Sequence, residues 1–154
     1  MTHSVSHETI DAFCEAYFYH DAGKVAEFLH DDVSWTISGP VDVLPYCGLH
    51  QGKAAVLDLV GRLVPSVYRV VNFVQDSILV DGDRVATLNR MSGRRCDDGR
   101  ILSYRLAHFL RFRGGKLLEM LSLIDSFDAV EQVLGHPLSV HAGCAAHTGD
   151  LVAV

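Results

Sequence analysis

No stretch of this 154-residue chain reaches the roughly 18 uncharged apolar residues that a membrane-crossing helix needs, which excludes a helical membrane protein. A concentrated basic face is missing too. The formal charge is −6, and arginines cluster only at Arg94-Arg95 and at Arg111 and Arg113. Proteins that track a phosphate backbone need clustered positive charge, so nucleic acid is not an expected partner. Cysteine is sparse: the four residues Cys14, Cys47, Cys96 and Cys144 are spread out with no C-x-x-C spacing. Residues 1–7 are polar and lack the basic-then-apolar pattern of a secretory signal. Reduced thiols and a cytoplasmic location are the resulting expectation. There is also no internal repeat and no low-complexity linker, so one domain over 1–135 is expected, followed by a tail over 136–154. What is present is ordinary for a folded soluble domain: 49% apolar and 21% charged residues, enough to fill a core at this length.

Periodicity divides the chain into helices first and strands last. Ile10, Phe13, Cys14 and Tyr17 recur at helical spacing over 6–19, with Ser6 as N-cap. Asp21-Ala22-Gly23 breaks that helix, and a second short one begins over 25–29. A strand follows over 33–38, stopped by Gly39-Pro40, and then an irregular loop over 41–52. Ala55, Leu59, Val60 and Leu63 mark an amphipathic helix over 51–63, which Pro65 should end. Four strands are expected over 68–80, 84–95, 101–113 and 116–126, joined by turns at Asp81-Gly82, Asp97-Asp98-Gly99 and Gly114-Gly115. A closing helical turn over 127–134 stops at Gly135 and Pro137. The fold class expected is α+β: a curved antiparallel sheet wrapped around the N-terminal helices, forming a cone with an internal pocket, as in a cystatin-like α+β roll.

The last hairpin supports a geometric expectation. If Gly114-Gly115 is a two-residue turn, Arg113 faces Lys116, Tyr104 faces Asp125 and His108 faces Leu121, all on one side. Leu106, Leu110 and Leu123 share that side, which makes it a candidate pocket wall. A bulge near the turn would flip one strand and overturn this. Carboxylates on apolar interior faces bind protons more tightly, which suits acid–base work, so Asp125 is the first candidate catalytic residue. Its alternative role is to cap the closing helix. His108, between Leu106 and Leu110, is the second candidate, or else a hydrogen-bonded core histidine. The two lie four residues apart in register, roughly 13 Å, and would flank a ligand. Arg90 either turns inward, toward Asp125 or a ligand carbonyl, or is a solvated strand residue. Trp35 and Tyr46 are candidate aromatic lining or core, and Tyr104, like His108 and Arg90, is a candidate to polarise a ligand carbonyl or hydroxyl.

Three segments resemble the nuclear transport factor 2-like superfamily, which includes SnoaL-like polyketide cyclases, ketosteroid isomerases and limonene epoxide hydrolases. They are Phe28-Leu29-His30-Asp31-Asp32-Val33-Ser34-Trp35, Gly48 through Gly52 leading into Lys53-Ala54-Ala55-Val56, and Phe109 through Leu117 followed by Leu123-Ile124-Asp125. The resemblance covers about residues 6 to 135. It implies the cone, a homodimer through the open sheet face, and no cofactor. It also implies a late-strand Asp acting as base, near where Asp125 falls. Phe13, Ile37 and His108 stand where ketosteroid isomerases carry their Tyr, base Asp and hydrogen-bonding Asp, so steroid isomerisation by that route is not expected. Of the epoxide hydrolases' Asp-Arg-Asp set, Arg90 and Asp125 have counterparts, with Asp76 a weak third.

The expected function is a cofactor-independent cyclase, isomerase or hydratase acting on a small hydrophobic carbonyl compound. The alternative is a ligand-binding or dimerisation module of the same fold. In the tail, His136, His141, Cys144 and His147 match no common zinc spacing, so no metal is expected. Packing of that tail across a dimer partner is the expectation instead.

Overall fold

The computed structural model describes residues 4–139. Helix α1 (His7–Phe18) starts where the Ser6 hydroxyl accepts from the Thr9 amide at 3.1 Å, which satisfies one of the donors a helix start leaves orphaned. Helix α2 (Ala22–Phe28) starts at Asp21, whose carboxylate accepts from the Lys24 amide. Strand β1 (Leu29–Ser38) follows directly. Residues expected to form only an irregular loop include a short edge strand, β2 (Gly48–Gln51), which pairs antiparallel with β1.

Pro65 does not end the next helix. Helix α3 (Lys53–Asp58) runs into a π-helical turn (Leu59–Leu63), and then into α4 (Val64–Val67). The Val64 amide bonds back to the Leu59 carbonyl. This wider turn places Pro65, which has no N–H to give, at the start of a fresh helical segment where none is needed.

Strands β3 (Tyr68–Asp81), β4 (Arg84–Arg95), β5 (Ile101–Arg113) and β6 (Lys116–Ile124) form the expected meander, and α5 (Ser126–Leu134) closes the chain. The sheet has six strands in the order β2-β1-β6-β5-β4-β3. Strand β1 lies parallel to β6 while the other neighbours are antiparallel. Inner and outer faces alternate cleanly along β4 and β5, and β5 buries every second residue from Leu102 to Phe112. The inner face packs on α1 through Phe13, Trp35 and Tyr17, with Phe13 6.1 Å and Tyr17 5.0 Å from the Trp35 ring.

The last hairpin corrects the expected register. Arg113 pairs with Lys116 and Phe112 with Leu117, but Arg111 then pairs with Glu119. Leu118 is therefore an extra residue, a bulge in β6. Beyond it His108 faces Ser122, not Leu121, and the Asp125 amide bonds to the Arg105 carbonyl rather than lying across from Tyr104. Because side chains alternate, one inserted residue sends Met120, Ser122 and Ile124 inward and Leu121 and Leu123 outward.

Gly93 on β4 is another fixed point. A Cβ there would lie 2.6 Å from Cδ2 of the Tyr68 ring. Gly93→Ala should therefore destabilise the domain by about 1–3 kcal/mol, as overpacking does, read as a lower urea midpoint at unchanged m-value.

Candidate functional site

Inward alternation brings an uneven mixture into the cone. Strand β4 contributes Thr87 and Asn89, β5 contributes Tyr104, Leu106 and His108, and β6 contributes Ser122. Tyr68 comes from the start of β3, and from outside the meander come Trp35 on β1, Tyr46 on the loop before β2 and Tyr17 on α1. Trp35 is fully buried, and Tyr46 and His108 retain 2% and 4% of their exposure.

The polar groups in this interior are only partly paired. The Trp35 indole N–H donates to Ser122 Oγ at 3.0 Å. The Asn89 amide nitrogen donates to Thr87 Oγ1 at 2.8 Å. By contrast, His108 Nε2 and Asn89 Oδ1 are buried with no hydrogen-bond partner among the described residues. Thr87 pairs directly with His108 across the ladder, so Asn89 sits on the diagonal from it. Facing side chains in that relation lie roughly 7–8 Å apart. A buried polar atom left unpaired costs about 1–3 kcal/mol, so each of the two is open to a polar partner from elsewhere.

The same interior carries a chain of phenols. Tyr104 donates to Tyr68 at 3.1 Å, and the Tyr46 and Tyr104 hydroxyls are 3.2 Å apart. Three hydroxyls carry three protons, and two mutual bonds use two of them. One O–H therefore remains without an acceptor among the described residues. Burial raises the proton affinity of all three phenols, so they stay neutral donors. Tyr17, raised likewise by burial, lies edge-on to His108 with ring centroids 6.4 Å apart. Burial pushes the His108 imidazole down to about 4, so it is neutral near pH 7.

The structure brings together His108, Tyr104, Leu106, Trp35 and Tyr46 inside the cone, and separates the other expected residues from them. Asp125 is exposed at the N-cap position of α5, and its side chain makes no capping bond. The β6 bulge moves it off the inner face that carries His108. Leu123 likewise points outward and is 42% exposed. Arg90 lies on the outer face, where it bonds Asp76 through Nε and Nη2 at 2.9 Å each; it reaches neither Asp125 nor the interior. His141, Cys144 and His147 lie outside the described residues, and no cluster able to hold a metal occurs among those described.

Asn89, Thr87, Ser122, Tyr68 and Tyr17 were not singled out from sequence. The alternation Val85, Thr87, Asn89, Met91 carried a signal for the first two, since polar residues occupy the apolar phase of a strand. Ser122 was hidden by the bulge. The groove of about 730 Å³ lies on the outer face over Leu79, Ala86, Phe109 and Leu121, away from this interior. A depression of about 430 Å³ opens between α1 and β3 beside Phe18 and Phe73.

A profile of the SnoaL-like domain family matches residues 10–120. Among solved structures, a candidate isomerase from Rhodopseudomonas palustris is 31% identical, with 83% of this chain and 97% of that one covered at a TM-score of 0.77. A hypothetical protein from Catenulispora acidiphila, with a ketosteroid isomerase-like fold and crystallised with trimethylamine, is 15% identical. It covers 86% of this chain and 96% of its own at a TM-score of 0.70. TerC co-crystallised with polyporic acid is 19% identical, covering 77% of this chain and 89% of its own at 0.65. The two more distant structures show the shared fold. A comparison with curated proteins finds no match.

The low His108 value gives a stability prediction. The folded state holds the imidazole neutral down to about pH 4, while the unfolded chain takes up a proton below 6.5. Stability is therefore complete above about 6.5 and falls as pH drops toward 4, by up to about 3 kcal/mol. Urea midpoints across this range should show that slope. His108→Phe should remove most of it, leaving the smaller part due to His20, which burial also lowers.

Proposed function

Because the chain belongs to the SnoaL-like domain family, we propose that its interior binds a small apolar compound bearing a carbonyl group and moves a proton on it without a cofactor. The observation that carries this reading is the unpaired His108 Nε2 and Asn89 Oδ1 in the same interior as a phenol chain with one O–H to spare. An apolar wall of Leu106, Trp35 and Ile37 favours a hydrophobic ligand body. The spare phenol proton favours an acceptor, the carbonyl oxygen. A neutral imidazole can take a proton from the carbon beside that carbonyl while a phenol O–H stabilises the developing oxyanion. Returning the proton at another carbon makes an isomerase, and bond formation at the activated carbon makes a cyclase. The similarity to a candidate isomerase supports this class. Asp125 has no part in it. The unpaired thiols of Cys14, Cys47 and Cys96 suit a reducing, cytoplasmic setting.

A second reading, ligand binding without turnover, is favoured by the weak basicity of His108 and by its burial. The two separate on α-proton exchange. With β-tetralone in deuterium oxide, the wild type should accelerate exchange of the ketone's α-protons. His108→Phe should lose that acceleration by about 100-fold or more, the usual size of an acid–base contribution, while Tyr68→Phe, which removes the spare O–H, should weaken ketone binding. Binding with no accelerated exchange would establish the second reading, and exchange indifferent to His108→Phe would remove His108 from the chemistry.

A further inference from the structure

Among the described residues, every one held at positive φ is a glycine except His20, at φ 52°. A Schellman turn at the end of α1 imposes that geometry. The Asp21 amide bonds to the Ala16 carbonyl and the His20 amide to the Tyr17 carbonyl, each at 3.0 Å. This pattern needs a left-handed residue between Tyr19 and Asp21, and Gly is its usual occupant because a Cβ crowds the following carbonyl. Asp21 also caps α2, so the turn is fixed from both ends and His20 has no room to relax.

The side chain is disfavoured as well as the backbone. Both ring nitrogens of His20 are buried with no hydrogen-bond partner among the described residues. A glycine would avoid the strain and the unmet polar atoms together. Strain held at a residue whose polar atoms face no partner points to a role for the side chain outside folding.

Tyr17 connects this histidine to the interior. Its ring lies edge-on to His20 with centroids 6.5 Å apart, and edge-on to His108 at 6.4 Å. The two imidazole centres are therefore no farther apart than those distances combined, within reach of a fused-ring molecule with a polar group at each end. Tyr17 and His20 are half-buried and His108 is buried, which orders the three from the outside inward. The 430 Å³ depression between α1 and β3 is lined by Phe18 and Tyr19, the residues between Tyr17 and His20, so this turn borders an opening to solvent. Burial and the nearby Arg69 guanidinium hold His20 below its ordinary proton affinity. A neutral ring has one N–H to donate and one nitrogen to accept. A hydroxyl answers either nitrogen without bringing a charge to buried atoms, whereas an ammonium would face Arg69.

We propose that His20 is a second ligand-contacting residue, so that the preferred ligand is a ketone with a hydroxyl at its far end. The carbonyl lies at His108, the ring system along Tyr17 and the hydroxyl at His20. This rests on the reading of the interior as a ketone site.

Calorimetric titration with β-tetralone and its 6-hydroxy and 7-hydroxy derivatives, whose hydroxyl stands across the ring system from the carbonyl, tests the assignment. For the wild type, at least one hydroxylated ketone should bind about tenfold tighter than β-tetralone, the effect of one hydrogen bond to an unpaired buried group. In His20→Gly that ratio should fall to about one. Glycine suits the left-handed backbone, so the variant should keep the wild-type far-UV circular dichroism. Nitrogen-15 NMR gives a readout on the wild type alone: the His20 signals should move with the hydroxylated ketone and stay in place with β-tetralone. If β-tetralone binds but neither hydroxyl adds affinity, the proposal is overturned and the ketone site stands. A gain that persists in His20→Gly, or His20 signals indifferent to the hydroxyl, also overturns it. Failure of all three ketones to bind removes the ketone site and this assignment together.

Discussion

One inserted residue, Leu118, governs what both faces of this sheet can do. Strand side chains alternate with period two, so a single extra residue moves everything after it to the other face. Before the bulge the hairpin runs as its Gly114-Gly115 turn dictates, with Arg113 against Lys116. After it, Ser122 comes under the Trp35 indole, Met120 and Ile124 join the core, and the carboxylate of Asp125 leaves the interior. The parallel pairing of β1 with β6 depends on the same shift, because Trp35 and Ile37 pair with Met120 and Ser122 only in the shifted register.

The interior that results is aromatic and short of hydrogen-bond partners at chosen points. Most of its polar atoms are paired as buried groups must be: the indole to Ser122, Asn89 to Thr87, phenol to phenol. The exceptions lie close together on the inner faces of β4 and β5. Burial holds His108 neutral and the phenols protonated, so the site offers neutral donors and acceptors rather than charges. An uncharged, mostly apolar molecule with one polar end matches that set. Among the described residues a carboxylate or phosphate ligand would meet no buried cation to offset its desolvation.

Much of the architecture was legible in the sequence because it rests on local signals. Glycine turns at Gly82 and Gly114-Gly115, the Ser6 cap and the alternation of β5 each follow from a few adjacent residues. The inward placement of His108, Tyr104 and Leu106 came from the same alternation. The bulge at Leu118 left no mark, since two leucines in succession look alike whether a strand is regular or bulged, and the expectation that Asp125 and Leu123 face the pocket rested on its absence. Edge strand β2 was hidden because four residues in a glycine-bounded loop become a strand only through pairing with β1. The helix past Pro65 was missed for a similar reason: a π turn relieves the missing amide, and no residue type announces such a turn.

The central claim is that His108 is a neutral, unpaired imidazole awaiting a polar group from a ligand. Nitrogen-15 NMR of the histidine side chains tests it most directly. His108 should give the resonances of a neutral tautomer at every pH from about 5 to 8, with the Nε2 signal shifting when an apolar ketone is added. A His108 that titrates near its ordinary value of 6.5, or an Nε2 signal unmoved by a ketone that binds, would contradict it.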